Sequence, residues 1–160
     1  MTARALFHNR KVNQLDHSLF DLVYWQGMDR VMKTKFSRRF RLWVSKHVSG
    51  CCGVNSFLSK WDKSVQDRCP SCRRRGETTA HVTVCNDPGR VETHNKSIAS
   101  VESWLKSNDT DPILVELICD YLEARGTESM ESLLHPSWPS KYTILAHYHD
   151  KLGWQHFIEG

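Results

Sequence analysis

No run of the chain reaches the roughly 18 consecutive apolar residues of a membrane span. The opening MTARALFHNRKVNQ also lacks the apolar h-region of a secretory signal. Together these absences predict an intracellular protein of the nucleus or cytoplasm, with no membrane partner. Internal repeats and low-complexity tracts are missing too, which excludes solenoid and linker-like architectures. What is present supports a packed core: 39% hydrophobic residues and 10% aromatic, including 6 Trp, in a chain of 160 residues. That length folds without an obligatory staple. Six cysteines are enough for three disulfides, but a reducing compartment makes metal ligation the better use for them.

The net charge of +4 is unevenly distributed. Residues 1–66 hold twelve Lys and Arg against four Asp and Glu (+8), and residues 67–100 hold six against four (+2). Residues 101–160 hold four against ten (−6). A basic half suited to an anionic partner therefore precedes an acidic one.

Periodicity and capping signals predict a mainly α fold, a small helical domain with an inserted zinc-binding loop and turn–helix module. Residues 1–15 are expected to be a loose lead-in whose abrupt start suggests truncation, followed by a basic helical region over 16–66. A zinc-binding module is expected over 67–90 and an acidic helical region over 91–160. In the basic region one helix is predicted from an N-cap at Asp16 to about Lys35, and a second carries Phe36, Phe40, Trp43, Val44 and His47 on one face until Gly50. The adjacent Cys51 and Cys52 project in divergent directions and are read as structural. Val54 to Trp61 is expected to form a short helix.

Further on, Pro88-Gly89 reads as a break, and Val101, Trp104 and Leu105 as the opening of a new helix. A capped helix starts at Asp111-Pro112, presents Ile113, Leu114, Leu117, Ile118, Tyr121 and Leu122, and stops at Arg125-Gly126. After a short amphipathic piece over 128–134 and a turn over 135–139, a last helix carries Ile144, Leu145, Tyr148, Leu152 and Phe157, loosened at Gly153. A small hairpin is the only β structure expected, at the metal site.

The chemistry concentrates in DRCPSCRRRGETTAHVTVC, where Cys69, Cys72, His81 and Cys85 form a Cys-x2-Cys-x8-His-x3-Cys set. A two-residue gap lets a tight turn, favoured by Pro70, aim both thiolates at one ion. Three intervening residues place His81 and Cys85 on one face of a helical turn. Three thiolates and an imidazole suit one tetrahedral, structural Zn2+, and four protein ligands leave no position for a reacting water. Thr78 or Thr79 is the candidate cap of the helix bearing His81. Glu77 is either an acceptor that fixes the imidazole tautomer or a solvated helix-start carboxylate. Arg73, Arg74 and Arg75 lie between the ligand pairs, as phosphate contacts or as a solvated loop. His147 and His149, two apart on a helix, diverge and make a poor metal pair.

Cys69-Pro70-x-Cys72, then Glu77-Thr78, His81 and Cys85, with a turn at Asn86-Asp87-Pro88, resembles the zinc-binding domain that follows reverse transcriptase in non-LTR retroelement polyproteins. Trp43, Lys46, Gly50, Gly53 and Trp61 resemble that family's Trp-containing basic helix and Gly-rich break. Gly153, Trp154, Phe157 and Gly160 are similar to the tails of algal and protist elements. The resemblance implies binding of template RNA or target DNA, or placement of an upstream reverse-transcriptase domain, in a fragment that is itself no enzyme. A Tyr-x-Asp-Asp carboxylate pair for polymerase chemistry is absent.

Independently of any family, Arg38, Arg39, Arg41 and Lys46 are placed to meet an RNA or DNA backbone. Phe36, Phe40 and Trp43 share a helix face, for which core packing is preferred over base stacking. The alternative function is a zinc-stabilised protein-interaction module in which the acidic helices dock a partner. A metal-dependent nuclease would need an open metal site or a second His/carboxylate cluster, and no small-molecule substrate is expected.

Overall fold

A computed structural model describes residues 24–48 and 51–159. The elements are α1 (Trp25–Lys35), α2 (Arg38–Val48), α3 (Asn55–Leu58), α4 (Thr79–Val84), α5 (Pro88–Ser107), α6 (Pro112–Ala124), a 3-10 turn (Glu131–Leu133) and α7 (Ser140–Glu159). The fold is mainly α, as expected. Among the described residues the only β pairing is one isolated antiparallel bridge, Arg68 with Arg75. The expected cap Asp16 and the stop at Gly50 lie outside the described residues.

α1 and α2 are separate because Phe36 is extended (φ −117°, ψ 141°) and Ser37 starts a new helix. Its hydroxyl accepts the Phe40 N–H at 3.2 Å. Pro88 does not break the chain. The Asp87 carboxylate accepts the N–H groups of Gly89 and Arg90 at 3.1 and 3.2 Å, so Pro88 occupies the first turn, where its missing N–H costs nothing. The helix expected to open near Val101 is thus the second half of α5, with Trp104 exposed.

α6 follows its capping signals. Asp111 accepts the Ile113 N–H at 3.0 Å, and the helix ends in left-handed Arg125 (φ 49°) and Gly126 (φ 79°). A Cβ at Gly126 would come within 2.7 Å of the Trp154 ring, so close approach as well as backbone conformation requires glycine there.

The core gathers Leu117 and Tyr121 of α6, Met130, and Ala146 of α7, ringed by Leu133, Leu134, Trp138, Leu145, Trp154 and Phe157. Tyr121 meets Trp154 and Phe157 edge-on at 5.5 and 5.0 Å. Two polar latches fix α7. Asp150 accepts the Met130 and Glu131 N–H groups at 2.6 and 2.9 Å, and Asp111 accepts the Tyr142 hydroxyl at 2.5 Å. The Tyr142 bond is the main cause holding the Asp111 carboxyl below its ordinary range.

The buried face of α7 differs from expectation. Tyr142 and Ala146 are buried, whereas Ile144 (60%) and Tyr148 (42%) are exposed. Gly153 (φ 79°, ψ 162°) kinks the helix, so Trp154 and Phe157 return to the core on a different phase. α5 packs along α6, and its C-terminal half forms with α6 an open groove lined by Glu102, Asp109, Glu116, Cys119, Asp120 and Glu123.

Candidate metal centre

The segment ahead of α4 folds back tightly on itself. The Cys69 N–H donates to Arg74 C=O at 2.8 Å, the Arg73 N–H to Cys69 C=O at 2.9 Å, and the Gly76 N–H to Asp67 C=O at 3.1 Å. Closing so short a turn puts Arg73 at φ 62° and Gly76 at φ 79°, and the hairpin expected from the sequence is reduced to the Arg68–Arg75 bridge. Thr78 caps α4, its hydroxyl accepting the His81 N–H at 3.1 Å. Cys85 follows the helix in extended conformation (φ −62°, ψ 126°). It therefore reaches the site from the helix end rather than from its face.

This brings the four ligand atoms of Cys69, Cys72, His81 and Cys85 within 4.8 Å of one another. The Cys69 and Cys85 sulfurs are 3.8 Å apart, and the Cys72 sulfur is 3.3 Å from His81 Nε2. All four residues expected from the spacing come together, and their cysteines are free thiols. Cys69 and Cys85 are each 1% exposed, while Cys72 and His81 are half-buried. Burial pushes the Cys69 thiol up, but it is outweighed by the Cys72 and Ser71 N–H groups and by the His81 and Cys72 side chains, which bring it down to about 6. Burial raises the Cys85 thiol; the Asp87 N–H opposes this and the neighbouring cysteines add to it. A cation among these sulfurs would favour the thiolate at every position.

Three polar fasteners tie the centre to its surroundings. Glu77 is buried, and its carboxylate accepts the Asn55 N–H at 2.9 Å. This replaces both expected roles for Glu77: it neither holds the imidazole nor sits in solvent, but anchors the start of α3. Asn55 in turn donates its side-chain N–H to Arg68 C=O at 2.6 Å. Arg90 of α5 donates to the Ser71 hydroxyl at 3.1 Å.

A fourth fastener is Arg125 at the end of α6. Its guanidinium reaches Thr83 C=O at 2.9 Å and Cys85 C=O at 3.0 Å, satisfying the carbonyls that the end of α4 leaves without helical partners. Sequence reasoning missed Arg90 and Arg125. A basic residue beside a helix-stop glycine was the only signal, and it pointed equally to a simple cap.

The basic residues fall on two elements. Arg73, Arg74 and Arg75 are exposed on the metal turn; Arg38, Arg39 and Lys46 are exposed on α2, and Arg41 is half-buried. The aromatics of α2 and of the Phe36 break before it are not core. Phe36, Phe40 and Trp43 are 40%, 38% and 53% exposed, and none belongs to the buried cluster that α6, Met130 and α7 build. Cys51 and Cys52 stand apart from the four-ligand cluster. Cys51 is exposed and Cys52 buried, with its sulfur 3.3 Å from His47 Nδ1. His147 and His149 diverge: the first meets Glu131 at 2.7 Å, the second lies edge-on to Phe157.

The fold and centre define a mainly helical chain with a four-residue Cys/His cluster that can hold a metal ion. Comparison of the chain with protein-family models, curated proteins and solved structures finds no match. Among the described residues no helix is long and apolar enough to cross a membrane.

Proposed function

We propose that the chain is a zinc-structured, non-catalytic nucleic-acid-binding module, of the kind that follows reverse transcriptase in non-LTR retroelement polyproteins. The observation that carries the zinc reading is the ligand spacing. Tetrahedral zinc with Zn–S of ~2.3 Å and Zn–N of ~2.0 Å requires S···S edges of ~3.8 Å and S···N edges of ~3.5 Å. Two of the six separations, 3.8 and 3.3 Å, are close to those edges, and all six lie within 4.8 Å. Four protein ligands close the coordination shell, so bound zinc would supply structure and no reacting water. Cys69 and Cys72 would hold the turn, and His81 and Cys85 would hold α4 against it.

The nucleic-acid reading is supported by charge. From Val31 to Trp61 the sequence contains seven Lys and Arg and no Asp or Glu, and three further arginines sit on the metal turn. Such a surface neutralises phosphates and releases counterions. The competing reading, a protein-docking module, draws on the acidic groove between α5 and α6. Metal analysis of the purified chain together with RNA and DNA binding across a salt series separates the two. About one zinc per chain, and affinity that falls steeply with salt and with neutralisation of Arg38, Arg39, Arg41 and Arg73–Arg75, supports the first. Binding that survives neutralisation overturns it.

A further inference from the structure

We infer that the ring ladder formed by Phe36, just ahead of α2, and Phe40, Trp43 and His47 of α2 is a stacking platform for an unpaired nucleic-acid strand, an inference that rests on the nucleic-acid reading above and specifies its ligand. Phe36 and Phe40 stack at 4.5 Å, Phe40 and Trp43 lie tilted at 5.6 Å, and Trp43 stacks on His47 at 5.0 Å. Four rings in series are thus held against one another while Phe36, Phe40 and Trp43 keep 38–53% of their surface open. Mutual stacking fixes their rotamers beforehand, so little side-chain entropy remains to be lost when a base joins the series.

Charge decides what covers this face. At 3.6 residues per turn, Arg39 and Lys46 form a basic edge along one side of the stripe, while Arg41 lies further round and Arg38 on the opposite face of the helix. α2 contains no acidic residue. A basic edge without acidic neighbours attracts an anionic occupant, and a polyphosphate backbone carries such charge at every nucleotide. Rings beside a basic edge fit bases whose π faces are open, and a duplex hides those faces by pairing and stacking. The occupant that matches both features is a single strand, with phosphates along the basic edge and bases extending the ladder.

The test uses the full, metal-loaded chain with unstructured uridine and thymidine oligonucleotides of about 15 nucleotides, a hairpin duplex, and phosphatidylserine vesicles. The single strands should bind at least about tenfold more tightly than the duplex. Phe40→Leu and Trp43→Leu should each lower single-strand affinity about tenfold or more, with the salt slope unchanged. Trp43→Phe, which keeps a ring, should retain most of the affinity. Helical circular dichroism and bound metal should be unchanged in all three, since these rings lie outside the core. If the ring variants bind like the parent while Arg38→Gln, Arg39→Gln and Arg41→Gln weaken binding, the ladder inference fails and the nucleic-acid reading stands. Equal or tighter binding to duplex or vesicles also overturns the ladder. If the charge variants change nothing either, both fall.

Discussion

The metal module and the helical body are held by different forces. The body, α5 to α7, buries Leu117, Tyr121, Met130 and Ala146 in one apolar cluster. In residues 67–88 the buried side chains are Cys69, Cys85, Glu77 and Thr79, with no large aliphatic or aromatic group among them. Apolar burial contributes about 25 cal/mol per Å2, so it can carry the body but has little to act on in the module. A cation at the Cys/His cluster would supply what packing does not. The comparison teaches that apolar packing and a candidate Cys/His metal centre divide one short chain between them.

The largest expected effect is therefore removal of a ligand. Cys69→Ala or His81→Ala should abolish metal binding and order in the module, while the thermal transition of the body survives; structural zinc in small modules supplies about 10–16 kcal/mol. Isothermal titration with zinc, alongside segment-resolved hydrogen exchange, reads both. Next is Leu117→Ala, which should cost about 2–5 kcal/mol by creating a cavity at a fully buried site. In chemical denaturation it should weaken the body without changing metal stoichiometry.

Arg125→Ala tests the link between the two regions. It strands the Thr83 and Cys85 carbonyls and should cost about 1–3 kcal/mol. Metal release to a chelator should quicken, with the apolar core intact. If release is unchanged, the clamp is not a coupling element.

The smallest effect is on pH. Burial lowers the His149 pKa from its ordinary 6.5, with Asp150 opposing. The unfolded chain then binds more protons below about 6.5. His149 contributes its full stability above that value and loses it as pH falls toward the folded pKa. In metal-free protein, where only the body is read, His149→Gln should flatten the stability profile below pH 6.5. An unchanged slope would remove His149 as the cause.

Local signals in the sequence were reliable where the structure is local. Asp111-Pro112 and Arg125-Gly126 bound α6 because cap, proline and left-handed stop act within a few residues. The ligand set was legible for the same reason, since a turn and a helix end bring its members together. Pro88 was misread because a first-turn proline and a breaking proline look alike until the Asp87 cap is seen. Helical spacing put the α2 rings on one face but could not say whether anything covers it. The roles of Glu77 and Arg125 were invisible, since their partners lie 22 and 42 residues away and only the tertiary fold brings them close. The face of α7 was lost to the kink at Gly153.

Hydrogen exchange of the full chain, zinc-loaded and after chelation, with metal counted by native mass spectrometry, tests the dependence of the module on its metal most directly. One zinc per chain is predicted, with protection over residues 67–88 collapsing on chelation while α5, α6 and α7 keep theirs. Identical protection with and without metal would contradict it.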